Sequence, residues 1–225
     1  TAILIALGIG AVGAVLSYVY FVGGSGEATR DVEAATIVPE VAASAELITF
    51  TIVPEESEIS FTLQEDLMGA RTTVVGTSNQ VTGNIAISFD SPQASMVGPI
   101  EINLRTLATN NEFRNRAIRD QILESNQDRY EFTTFVPTAI AGLPETVAIG
   151  DTISFTLTGD LPLREITRQV VWDVTVTIVS ATRIEGVATT RVTRGEYELV
   201  IPNVPSVANV TDEVDLKIEF VATAG

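Results

Sequence analysis

The chain has 225 residues, with 29 acidic against 13 basic side chains and a formal net charge of −16. That balance excludes binding to a nucleic-acid backbone, where Lys and Arg must replace condensed counterions, and it disfavours docking of an exposed domain face on an anionic lipid surface. Cysteine and histidine are both absent, so thiol catalysis, Ser-His-Asp triads, thiolate or imidazole metal sites and disulfides are all excluded.

Residues 1–22 form the first element. From Ala2 to Val22 there is no charge, and Tyr18, Tyr20 and Phe21 gather at one end. A helix of that length rises about 30 Å, enough to cross a hydrocarbon core, and the aromatic end suits a membrane interface. The stretch is too long for a cleaved leader and ends in the wrong residues for one. Its C-terminal flank carries Glu27, Asp31, Glu33, Glu40 and Glu46 against Arg30. The positive-inside rule therefore places the N-terminus in the cytoplasm and the rest of the chain outside it. Ala6, Gly10, Ala14 and Ser17 make one small-residue stripe. Such a stripe either packs on another membrane helix or reflects the Gly and Ala content common to these segments. The Gly8–Gly13 segment matches a dinucleotide fingerprint only by chance, since no strand precedes it.

Residues 23–46 begin Gly-Gly-Ser and continue acidic and Ala-rich, without an apolar period, so they are expected to be a flexible acidic linker. From residue 47 to 225 the pattern becomes β. Apolar residues alternate with polar ones at Ile59, Phe61 and Leu63, at Ile85, Ile87 and Phe89, and at Ile100, Ile102 and Leu104. The same holds for Ile153, Phe155 and Leu157, for Trp172, Val174, Val176 and Ile178, and for Leu216, Ile218 and Phe220. These six runs predict antiparallel strands with one buried face each. Weaker strands are predicted at 47–53, 71–76, 130–137 and 183–200. About eight strands suffice to close a barrel around a small ligand.

One helix is predicted within this β domain, with Thr109 as N-cap and Glu112 completing a capping box. Phe113, Ala117, Ile118 and Ile122 form its apolar stripe. Arg105, Arg114, Arg116, Arg119 and Arg129 crowd the same region. They read either as a solvated face laced by pairs such as Glu112–Arg116 and Arg116–Asp120, or as an anion clamp in which Arg114, Arg116 and Arg119 meet a ligand head group.

The order of these elements resembles the YceI-like family. The residues that carry the likeness are Phe50-Thr51-Ile52-Val53-Pro54, Ser57-Glu58-Ile59-Ser60-Phe61, Val75-Gly76 and Val81-Thr82-Gly83-Asn84-Ile85. They continue with Leu107-Ala108-Thr109, Arg119-Asp120, Leu123-Glu124-Ser125, Tyr130, Phe132 and Phe135, then the segments 159–168 and 194–199. The chain departs from the family in having no His and in placing Glu165 where a turn Gly is common. The resemblance implies an all-β, lipocalin-like antiparallel barrel with one inserted helix, enclosing a polyisoprenoid lipid.

Three function classes follow. A lipid-binding module would line its interior with Phe61, Leu63, Ile85, Ile87, Ile102, Leu104, Phe155, Leu157, Trp172, Val174, Ile218 and Phe220. An accessory subunit of a membrane complex would use the anchor stripe. An enzyme is the weakest reading, because Glu55-Glu56, Glu65-Asp66 and Asp212-Glu213 are adjacent pairs whose members point to opposite faces of a strand. Asp212, Glu213 and Asp215 lack the spacing of a calcium loop, so no metal and no cofactor is expected.

Overall fold

The computed structural model describes residues 26–36 and 46–225. Eleven strands form one antiparallel sheet, and eight of them close into a barrel. The strands are β1 (Ile48–Ile52), β2 (Glu58–Leu67), β3 (Ala70–Ser78), β4 (Val81–Ile87), β5 (Met96–Asn103) and β6 (Phe132–Ala141). They continue with β7 (Thr152–Leu163), β8 (Ile166–Ser180), β9 (Arg183–Thr193), β10 (Val207–Ala208) and β11 (Glu213–Thr223). The ring runs β1-β4-β5-β6-β7-β8-β9-β11 and shuts through Thr51↔Thr223 and Ile52↔Ala222. Closure leaves no bare sheet edge in the ring.

Each of the six strong alternations and each of the four weaker ones finds a strand. Phe89 and Leu104 lie just past the ends of theirs, residues 130 and 131 are helical, and the stretch predicted over 183–200 is strand only to Thr193. The alternation in β8 is the longest, with Val170, Trp172, Val174, Val176 and Ile178 all buried. Two inward glycines are set under aromatic rings. A Cβ on Gly76 would stand 2.2 Å from the Phe61 ring, and one on Gly186 2.4 Å from the Phe220 ring. Each glycine is the register partner of its phenylalanine, so the ring occupies the space a side chain would need.

The two ends of the barrel are built differently. β1 and β2 succeed one another along the same edge of β11, with a 3-10 turn at Pro54–Glu56 between them. At the far end the wall beside β11 is β1 and β4, hydrogen-bonded on to β5. At the other end it is the β2–β3 hairpin, and β3 meets the next segment through the bridge Thr77↔Ala108 and the Ser78–Thr106 hydroxyl contact, without a ladder. The segment between β5 and β6 caps this opening. It comprises a 3-10 turn (Leu104–Thr106), α1 (Glu112–Ala117), a π turn (Ile118–Ile122) and α2 (Asp128–Glu131).

The capping box is corrected. Asn111 is the N-cap, its side chain accepting from the Arg114 amide at 3.1 Å. Thr109 instead accepts from the Asn111 amide at 3.2 Å, and the Asn115 carboxamide oxygen accepts from both its amide and its hydroxyl. Asn115 competes successfully for Thr109 because it is buried and reaches back six residues.

The expected linker is also revised in part. Residues 26–36 lie against the outer wall of the barrel. The Thr29 amide and hydroxyl donate to the two oxygens of Glu131 at 2.7 and 2.6 Å. Arg30 donates to both oxygens of Glu101 at 2.8 Å and covers the Phe132 ring at 3.8 Å. The Glu33 amide also donates to Glu101, and the Asn84 carboxamide donates to the Ala35 carbonyl. A polar, Gly- and Ala-rich stretch is ordered here because two carboxylates on the barrel accept its donors. Among the described residues no helix is long and apolar enough to cross a membrane. The expected span over 1–22, with its stripe of Ala6, Gly10, Ala14 and Ser17, lies outside the described residues, as do 37–45.

Candidate functional site: two apolar chambers in the barrel

The inward faces of the strands enclose two chambers. The larger, of about 370 Å³, lies at the capped end and is walled by β2, β3, α1, the π turn and the loop 199–210. The smaller, of about 90 Å³, lies at the far end among β4, β5, β7, β8 and the loop between β6 and β7. Trp172 and Ile218 line both and so form the layer between them. The larger volume falls within the range of about 300–1,000 Å³ usual for ligand pockets.

Every interior residue expected from the alternation lies on one of these walls. Phe61, Leu63, Ile102 and Leu104 face the large chamber, and Ile85, Ile87, Phe155, Leu157, Val174 and Phe220 face the small one. Trp172 and Ile218 face both. The Trp172 indole N–H, buried, has no hydrogen-bond partner in the protein.

The arginines divide. Of the five in and around the cap, Arg114 alone reaches the large chamber, where its guanidinium pairs with Glu65 at 2.5 Å. Arg116 pairs with Glu112 at 3.2 Å across one helical turn, as the sequence spacing suggested. Arg119 is 4% exposed and lies 3.6 Å from Asp120. Neither Arg116 nor Arg119 lines a chamber, so the clamp of three is corrected to Arg114 alone. The solvated-face reading is corrected for Arg105, Arg114, Arg116 and Arg119, which are largely covered, and stands for Arg129, which is exposed beside Glu165. Arg105 is buried and donates to the carbonyls of Ser125 and Asn126 and to Asp128. It also pairs with Glu131 at 3.0 Å. The crowd of arginines thus holds the cap together.

Glu131 is the centre of that network. Burial opposes its ionisation, but the hydrogen bonds from Thr29 and Asn103 and the charge of Arg105 outweigh it and hold the carboxyl below its ordinary range. The hydrogen bond from Arg30, against a smaller cost of burial, does the same for Glu101.

Three wall elements escaped the sequence reading. Glu65 continues the inward series Ile59, Phe61 and Leu63 by two residues, so period two already pointed it inside and called for a cation. Tyr197 is buried, donates to the Leu161 carbonyl at 3.2 Å, and burial pushes its pKa up to about 12. Arg194 donates to the carbonyls of Thr211, Leu199 and Val210. It thereby pins the loop 199–210, whose Ile201, Val204 and Val210 close the chamber.

The turn at Arg164-Glu165 places its positive φ of 54° on Arg164. A glycine is therefore not required at Glu165. Of the acidic groups weighed for calcium, Asp212 accepts from the Gly195 amide and Asp215 pairs with Arg191. Among the described residues no group of His, Cys, Asp or Glu is arranged to hold a metal.

Residues 50–222 match the family described as the YceI-like domain. Among solved structures, a polyisoprenoid binding domain from Saccharophagus degradans implicated in plant cell wall breakdown aligns with a TM-score of 0.61 at 16% identity. That alignment covers 80% of this chain and 100% of that one. BcnA of Burkholderia cenocepacia aligns with a TM-score of 0.56 at 20% identity, over 76% of this chain and 99% of its own. No curated protein sequence matches. The match over 50–222 and the closed barrel agree, and the chain belongs to the YceI-like domain family.

Proposed function

We propose that this protein is a membrane-anchored, extracytoplasmic carrier of a long apolar lipid of isoprenoid type, and that it catalyses no reaction. The observation that carries the reading is the large chamber, whose walls are almost wholly apolar although the chain as a whole is strongly acidic. Apolar walls give non-directional affinity of about 0.8 kcal/mol for each methylene-sized unit removed from water. A flexible hydrocarbon suits such a site better than a polar metabolite, which would leave its hydrogen bonds unmade. The charged side chains at this chamber are already paired, Arg114 with Glu65, Arg194 with Asp212 and Lys217 with Glu219. The related fold from Saccharophagus degradans, described as a polyisoprenoid binding domain, supports the same ligand class. The uncharged stretch 2–22 with its acidic flank supports anchoring with the barrel outside the cytoplasm.

The test uses the full chain, purified in mild detergent from its own membrane. Native mass spectrometry is expected to find one long apolar molecule per chain. Adding a long-chain prenol to delipidated protein is expected to shift the emission of Trp172, the sole tryptophan. Folded protein that carries no lipid and shows no spectral response would overturn the reading.

A further inference from the structure

We propose that the capped end of the barrel faces the bilayer, with Met68, Phe113 and Val200 resting on the lipid surface. Ligand then passes between the membrane and the large chamber without crossing water. The proposal rests on the anchor and ligand proposed above, and adds an orientation and an entry route to them.

The first support is the course of residues 26–36. Followed toward the N-terminus, Ala35 meets Asn84, Arg30 meets Glu101, and Thr29 meets Glu131 of the cap. Gly26 then lies on the cap itself. Its φ of +79° suits glycine, and a Cβ there would stand 2.6 Å from Nη1 of Arg119. The docked strap therefore leaves the barrel at its capped end.

The second support is length. Only residues 23–25 separate Val22, the last residue of the apolar stretch, from Gly26. Four residue steps reach at most about 14 Å. The far end is much further off, since β8 alone runs 15 residues at about 3.3 Å each. A barrel held by this strap cannot turn its far end to the membrane.

The third support is the surface of the capped end. Phe113 lines the large chamber and is still 46% exposed. Met68 and Val200, 86% and 73% exposed, directly follow the lining residues Leu67 and Leu199. The apolar wall of the chamber thus continues onto the outside as an apolar rim. Charge agrees with this. Residues 104–131 hold five Arg against five Asp and Glu, whereas the whole chain is at −16. The segment that carries Phe113 is therefore not repelled by anionic head groups, whereas Asp66 and Glu198, near Met68 and Val200, favour a zwitterionic surface.

The chain has no native cysteine, so a single fluorophore can be attached to Met68→Cys on the rim, or to Thr146→Cys in the exposed loop between β6 and β7. Each full-length variant is reconstituted in phosphatidylcholine vesicles with and without doxyl-labelled phosphatidylcholine. Flotation reports anchoring, and extraction reports retained lipid. The expected result is several-fold stronger quenching at position 68 than at 146 in protein that floats and retains lipid. Equal quenching, or stronger quenching at 146, would overturn the orientation while leaving the carrier reading intact. Shielding of the label at 68 that depends on protein concentration and not on doxyl lipid would mean a second copy covers the rim, and would also overturn it. Protein that does not float would remove the anchor and the orientation together.

Discussion

The far end and the capped end of this barrel belong to one sheet but solve different problems. At the far end consecutive strands meet in turns, and Phe50, Ile178, Ile184 and Ala222 are wholly buried. Only about 90 Å³ is left open there. At the capped end β3 pairs with β2 but has no strand along its other edge, and the gap is filled by short helical turns, a pinned loop and a docked strap. The space enclosed is about 370 Å³. Packing at native density stabilises the fold at one end. At the other end density is given up for volume, and buried ion pairs and hydrogen bonds hold the wall elements in place.

If that division is right, the largest stability effect comes from the polar network of the cap. Glu131→Ala would leave Arg105 buried with the exposed Asp128 in place of its buried counter-ion, and strip two acceptors from Thr29. Removing one partner of a buried pair costs about 3–5 kcal/mol. Urea unfolding monitored by Trp172 should show that loss. A change below about 1 kcal/mol, the scale of a surface pair, would mean the network is incidental.

A matched pair of truncations sharpens the contrast. Ile178→Ala at the packed end should cost about 2–5 kcal/mol through lost burial and the new cavity. Leu63→Ala borders existing space at the capped end, so it should cost clearly less stability but lower the retention of a bound prenol. Comparable stability losses with unchanged retention in both variants would erase the distinction between the ends.

The same division governs what could be read from the residues. Strands with one buried face advertise themselves by period two, and that is why β2, β4, β5, β7, β8 and β11 were legible. Even so, β7 runs on to Leu163 and β8 begins at Ile166, each well beyond its clear alternation. β8 was unmistakable because five inward apolar residues follow in register. The chamber walls built from those strands were legible too, but the division into two chambers was not, because it depends on where Trp172 and Ile218 meet across the barrel. The cap was only partly legible. Its helix is interrupted by a π turn, and its N-cap is decided by Asn115, a side chain further along the chain. The loop 199–210 has Ile201, Val204, Val207 and Val210 at steps of three, which match neither the period of a strand nor that of an α-helix, so nothing local announces that it closes a cavity. The strap was misjudged as a tether for a related reason. Its order comes from Glu101 and Glu131, which lie about 70 to 100 residues away in sequence.

The smallest effect expected is the most specific, and it concerns how that strap is held. Glu101 and Glu131 both have folded-state carboxyls held below their ordinary value of 4.5. A depressed carboxyl contributes stability that is fully present above the unfolded value and is lost as pH falls through the folded one. The strap should therefore stay docked at neutral pH and release as the medium is acidified below about 4.5. Thr29→Val removes the hydroxyl that donates to Glu131 at 2.6 Å but keeps the backbone donor at 2.7 Å. One hydrogen bond to a charged acceptor contributes about 1.5–3 kcal/mol. The remaining partners and the partial exposure of the site favour the lower figure. Hydrogen exchange at the Thr29 amide should quicken by roughly tenfold, while the urea midpoint moves little. Losing a bond that favours the carboxylate also lifts the Glu131 carboxyl toward its ordinary value, so the variant should release its strap at a higher pH than the parent. A release pH that does not move, or that moves down, would show that Arg30 and Glu101 hold the strap and that Glu131 serves the cap alone.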